Sequence, residues 1–176
     1  MGNCESRVTL LADWKSSHKR LVTRHLELSG EVAAVVEYLR MVRGLIDWRD
    51  VHVEALKLAV HMRWHAAEGR VLAAHAYGAA WTIGSDPPVV YVEPYDQGDE
   101  RQITYRGTCR GRILTLTLGP ADEDMLKEEM SRSGDTAADI LRDGVMALNW
   151  RQSRLDAGLD VHFSSLEWVT ARRAGR

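Results

Sequence analysis

Two stretches of the chain follow one order of residue patterns, and this echo constrains the fold more than any other feature. The clearer copy runs from Arg112 to Gly158. Between Ile113 and Leu118 the residues alternate, with Leu114, Leu116 and Leu118 on one face and Ile113, Thr115 and Thr117 on the other. That is the period-two pattern of a half-buried strand. Gly119 ends the run, and Pro120 suits a first helical turn, where its missing N–H costs nothing. Asp122, Glu123 and Asp124 add negative charge at the positive end of the helix. The pattern predicts a helix to about Met130 with Met125, Leu126 and Met130 on its apolar side, broken by Ser131 to Gly134. A second helix follows. Thr136 caps it, with Asp139 near the capping-box position, and Ile140, Leu141, Val145, Leu148 and Leu155 recur at helical spacing until Gly158 stops it.

The earlier copy lies in Leu21 to Gly69. Val22 to Leu28 reads as a strand, and Ser29 caps a helix through Glu31, Val32, Val35, Val36 and Leu39 to Met41. Glu54 to Val60 matches Asp139 to Val145, both second helices approach a Trp (Trp64, Trp150), and both end at Gly (Gly69, Gly158). A short apolar alternation follows each, Arg70 to Ala73 and Leu159 to Phe163. Copies of one supersecondary unit that cannot bury their cores alone pack on each other. The alternative is two helical hairpins with no common plan inside an α+β domain.

The strand, Pro-led helix, Gly-containing turn and longer helix resemble the ribbon-helix-helix family of bacterial DNA-binding proteins. Leu118-Gly-Pro120 stands where the family has Leu-x-Pro. Gly134-Asp-Thr136-Ala-Ala-Asp139-Ile140-Leu141-Arg142 stands where it has Gly-x-Ser/Thr-x-x-Glu-hydrophobic-hydrophobic-Arg. The resemblance covers about a quarter of the chain. It implies an α+β fold in which two strand-helix-helix units form a single-chain pseudo-dimer, their strands paired across the axis, with a β-hairpin region inserted between them. It also implies a transcriptional regulator whose ribbon enters the major groove of double-stranded DNA while helix N-termini hold phosphates. Carried over by position, the base readers are Thr23, His25 and Glu27 from the first copy and Ile113, Thr115 and Thr117 from the second. Thr136 is the phosphate-holding cap, and Asp50 and Val51 are poorer counterparts in the first copy. Glu27 opposes the duplex potential unless it accepts from a cytosine amino group, and the alternation points Arg24 to the core side. Unequal halves imply an asymmetric site unless two chains associate.

The chain divides into an arm (1–20), a first unit (21–72), a β-rich connecting segment (73–110), a second unit (111–163) and a tail (164–176). In the arm, Lys15, His18, Lys19 and Arg20 form with Arg24 a basic cluster, either solvated or in contact with phosphates, for which Lys19 and Arg20 are the candidates. Trp14 anchors the arm, and Arg7 to Leu11 forms a small strand or turn. In the connecting segment, Val89 to Val92 and Gln102 to Tyr105 flank a polar Gly-containing turn, which predicts a hairpin that covers the pseudo-dimer or offers an interaction edge. Asp47 or Asp50 caps the second helix of the first unit. Val161 to Trp168 adds a strand or a helix, and the basic tail from Arg172 frays.

Composition bounds what such a chain does. With 45% hydrophobic and 27% charged residues it folds as an ordinary globular protein. A net charge of −2 attracts no nucleic acid globally, so DNA binding needs a local patch. Cys4 and Cys109 make no disulfide framework, and no membrane span or secretory signal is visible, which points to the cytoplasm. Met1 to Ser6 fits the N-myristoylation rule, a eukaryotic modification, whereas the Arg, Ala and Gly richness suits a bacterial chain. His61 and His65 share a helix face but lack the HExxH glutamate, and Glu128, Glu129, Asp139 and Asp143 read as solvated helix charges. With no Gly-x-Ser-x-Gly elbow and no phosphate loop, neither an enzyme nor a cofactor is expected. The rival to DNA binding is a protein-interaction or dimerisation scaffold on the same fold, as a homodimer or with a protein partner. The acidic run Asp122, Glu123, Asp124, Glu128 and Glu129 favours it.

Overall fold

The alternating residues of both copies come together in one two-stranded sheet. A computed structural model gives the structure of residues 21–44, 48–78, 88–99, 102, 105, 107 and 109–174. Among these are five helices and five strands, a mixed α+β fold with two antiparallel sheets. Strand β1 (Val22–Leu28) pairs with β4 (Arg112–Leu118), centred on His25 opposite Thr115, with three residues of each strand to either side. Leu26, Leu28, Leu114, Leu116 and Leu118 turn to the core, while Thr23, His25, Glu27, Ile113 and Thr115 are exposed and Thr117 is half-buried.

Each ribbon strand leads into two helices. After β1 come α1 (Gly30–Val42) and α2 (Trp48–Ala67), and after β4 come α3 (Pro120–Ser133) and α4 (Ala137–Asp156). Ser29 caps α1 by accepting from the Val32 N–H at 3.3 Å. Gly44 and Gly134 follow α1 and α3 with φ of +63° and +79°, a conformation that side chains resist. The α3 helix therefore continues beyond Met130 until Gly134 supplies the left-handed stop. Asp50 is not a cap, since it sits in the first turn of α2, and Asp47 lies outside the described residues.

The two long helices pack on each other more extensively than any other helix pair. They meet closely at Gly144, where an added Cβ would lie 1.9 Å from the Ala55 carbonyl oxygen. Ala55 and Gly144 hold the same place, the eighth, in helices of 20 residues each. On that alignment Glu54 matches Asp143, so the sequence match of Glu54 with Asp139 slips by four residues. A one-turn slip leaves an apolar pattern of three- and four-residue spacing intact, which is why periodicity alone does not detect it. The tryptophans are not counterparts either. Trp150, in the fourteenth place of α4, is buried, while Trp64, in the seventeenth of α2, is exposed.

The second sheet is assembled from β2 (Arg70–Tyr77), β3 (Val89–Pro94) and β5 (Asp160–Ser165) in the order β3-β2-β5. Strand β2 spans the sequence boundary drawn at residue 72. Its pairing with β5, from Arg70 opposite Ser165 to His75 opposite Asp160, is again centred on matching halves, between Leu72–Phe163 and Ala73–His162. Helices α2 and α4 each touch strands of both sheets. Helix α5 (Leu166–Ala174) lays Val169 and Trp168 on Ala73 and Val92, a small second core. Arg172 and Arg173 are helical rather than frayed, and the stretch read as strand or helix forms both.

Of the expected hairpin, the first strand and the turn fall among the described residues, with only Gln102 and Tyr105 of the second run. Strand β3 pairs with β2, and Gln102 lies in a 3-10 turn, accepting from the Asp96 N–H at 2.8 Å and donating to the Pro94 carbonyl at 3.1 Å. Residues 103 and 104 lie outside the described residues, as does the arm with Arg7 to Leu11, Trp14 and the Met1 to Ser6 motif. Among the described residues, no helix is long and apolar enough to cross a membrane.

Candidate nucleic-acid interface

Strand period two places the candidate readers on one surface. The outer face of the ribbon carries three cross-strand pairs, Thr23 with Thr117, His25 with Thr115 and Glu27 with Ile113. At its centre Thr115 Oγ1 lies 3.3 Å from His25 Nδ1, a cross-strand hydrogen bond that periodicity does not reveal. Ile113 is 65% exposed, an apolar side chain left in water. The outer face thus holds one carboxylate, one imidazole, three hydroxyls and one aliphatic group, with no Lys or Arg.

Positive charge stands at the strand entrances instead. Arg110 is exposed two residues before β4, and in the sequence Arg20 stands two residues before β1. Lys19 and Arg20 themselves lie outside the described residues. Arg112 donates to Glu37 at 3.0 Å. Burial works to raise the Glu37 carboxyl, but hydrogen bonds from Arg112 and Arg40 hold it below its ordinary value.

The inner face carries a charge that the alternation did foresee. Arg24 turns inward among leucines and meets Glu123 of α3, with Nε to Oε2 at 2.9 Å and Nη2 to Oε1 at 2.5 Å. The Glu123 side chain is 2% exposed. A two-pronged Arg–carboxylate pair satisfies both groups in that setting. The guanidinium lowers the Glu123 carboxyl from its ordinary value, first through the hydrogen bond.

The α4 N-terminus is formed as expected but is already occupied. The Thr136 Oγ1 accepts from the Asp139 N–H at 3.2 Å, and the Asp139 carboxylate accepts from the Thr136 N–H at 3.3 Å and from its hydroxyl at 2.6 Å. This closed capping box, led by the Thr136 hydroxyl, lowers the Asp139 carboxyl. A phosphate arriving there would meet a carboxylate.

Two acids read as solvated are buried. Glu129 and Asp143 converge on Arg63 of α2, with Arg63 Nη1 3.2 Å from Glu129 and 2.7 Å from Asp135, and Nη2 2.6 Å from Asp143. Arg132 closes on Glu129 at 2.8 Å. In the other half, Arg43 binds Glu54 and donates to Gln152 of α4 at 3.0 Å. Charge spacing within one helix is silent about partners on another, so neither cluster is readable from sequence. A cavity of about 210 Å³ beside Asp143 is lined by Tyr95, Asp96, Gln102, Arg142 and Met146. Burial pushes the Tyr95 hydroxyl pKa up, helped by Asp143 and Asp96.

His61 is exposed, His65 packs its ring 4.1 Å from Phe163, and no group of three or more His, Cys, Asp or Glu among the described residues could hold a metal ion. Comparisons with protein-family models, curated proteins and solved structures find no match.

Proposed function

We propose that the chain is a sequence-reading DNA-binding regulator, built as a single-chain pseudo-dimer of two ribbon-helix-helix-like units, and that the β1–β4 ribbon enters the major groove. The observation that carries this reading is the ribbon itself. Two strands distant in sequence pair about a common midpoint, leucines inward, with Thr23, His25, Glu27, Ile113, Thr115 and Thr117 outward. The major groove, about 12 Å wide, admits a two-stranded ribbon, whose strands stand about 4.8 Å apart. Threonine hydroxyls donate to or accept from base edges, and their methyl groups, like Ile113, touch thymine methyls. The shared midpoint of the second pairing and the contact of Ala55 with Gly144 support one pseudo-two-fold through ribbon, helices and sheet. Arg110 at the entrance of β4, and Lys19 and Arg20, which precede β1 in the sequence, supply phosphate contacts.

Selection from a pool of random duplexes at two salt concentrations tests this. One enriched motif, with retention falling as salt rises, is the expected result; no enrichment at low salt removes the proposal. A second reading has its own support. The carboxylate of Asp139 holds the α4 N-terminus, where the resemblance calls for a phosphate, and this favours a protein-interaction scaffold on the same fold.

A further inference from the structure

The second sheet has two edges of unlike chemistry. Main-chain direction alternates along a strand, so one hydrogen bond assigns the rest. Leu166, just past β5, donates its N–H to the Gly69 carbonyl at 2.9 Å. By that alternation Ser164, His162 and Asp160 turn their N–H and C=O groups to β2, while Val161, Phe163 and Ser165 turn theirs away. No strand among the described residues meets that outer edge. The matching edge of β2 is filled, since Leu72 accepts from Tyr95 at 2.8 Å and β3 continues the pairing. Of the two matching strands, therefore, one has an antiparallel neighbour and the other has none among the described residues.

Exposed edges are normally blunted by proline, lysine or a bulge. Strand β3, the opposite edge, has Pro87 and Pro88 before it and Pro94 at its end, and its register with β2 shifts at Ala76/Tyr77. Strand β5, Asp160-Val-His-Phe-Ser-Ser165, has no proline, no lysine and an unbroken register. Val161 and Phe163 are half-buried against the main core, so the open edge has an apolar lip on the core-facing side.

We propose that β5 pairs antiparallel with β5 of a second copy of this chain, giving a six-stranded sheet ordered β3-β2-β5-β5-β2-β3. Self-pairing about a two-fold axis uses the same edge twice and closes, so it forms a dimer rather than a filament. With the axis beside His162, the outward groups of Val161 bond those of Phe163 in the second copy, and the reverse. The two apolar lips then meet on one face. Asp160, the only carboxylate of the strand, falls opposite Ser164, so no carboxylates oppose, and His162 faces its own copy at the axis.

The test uses the full chain, with sedimentation measured over a wide concentration range and amide hydrogen exchange followed residue by residue at both ends of it. The expected result is a monomer–dimer equilibrium in which the Val161, Phe163 and Ser165 amides exchange more slowly as dimer forms. A Val161→Lys variant, with its native circular dichroism checked, should associate at least about tenfold more weakly. If Val161→Lys does not fold, the concentration dependence of the wild-type amides decides alone. A monomer at every concentration, a dimer that leaves those amides unchanged, or amides already protected in the monomer overturns the proposal.

Discussion

Two places beneath the ribbon hold the same position in the two halves and solve the same burial problem differently. Arg24, third in β1, meets Glu123, fourth in α3. Their counterparts are Leu114, third in β4, and Ala33, fourth in α1, both fully buried. One half is closed by an ion pair and the other by hydrocarbon, yet the strands above them pair with no irregularity. The backbone plan therefore does not require the charge. A buried ion pair is poor evidence of stability, because desolvation offsets most of its attraction. What it does is tie β1 to α3, the helix of the other half.

Removing one partner of the ion pair has the largest expected effect. Glu123→Ala leaves the half-buried Arg24 guanidinium without its carboxylate and should cost about 3 kcal/mol in urea unfolding, the low end for breaking a buried pair. At the helix crossing, Gly144→Ala forces a methyl group into the Ala55 carbonyl and should cost about 1–3 kcal/mol or more. The reciprocal change, Ala55→Gly, relieves no clash and costs about 1 kcal/mol through backbone freedom. Thr136→Ala opens the capping box and should cost about 1 kcal/mol.

The smallest change is expected from replacing both partners at once. Arg24→Leu with Glu123→Ala copies the other half and should lie within about 1 kcal/mol of wild type or above it at neutral pH. Its acid profile should differ. Because the Glu123 carboxyl sits below its ordinary 4.5 in the folded chain, its stabilisation is fully present above that value. It is lost as pH falls through the lowered folded value. Thermal unfolding against pH should therefore fall less steeply below about 4.5 in the double variant than in wild type.

Local patterns were legible in this sequence, and long-range choices were not. Period two placed Leu114, Leu116 and Leu118 inward and Thr115 outward, and it also placed Arg24 inward, where the structure has it. Thr136 with Asp139 announced the capping box because both partners lie within one turn. Partner selection depends on groups far apart in the chain. Val89 to Val92 carried a strand signal without saying that β2 would pair with it. Glu129 and Asp143 looked like surface charges because Arg63, which holds them, belongs to another helix. The centre of the candidate interface was half readable, its outward residues known and the bond between His25 and Thr115 not.

Whether the ribbon face reads bases is decided by comparing the motifs that wild type and a Thr115→Ala/Thr117→Ala variant select from the same random duplex pool. Both side chains point outward from β4, so neither substitution opens the core. Base preference should be lost at positions on one side of the site while the salt dependence of retention stays the same, since phosphate contacts are untouched. An unchanged motif, or retention without any motif in wild type, would contradict base reading by the ribbon face.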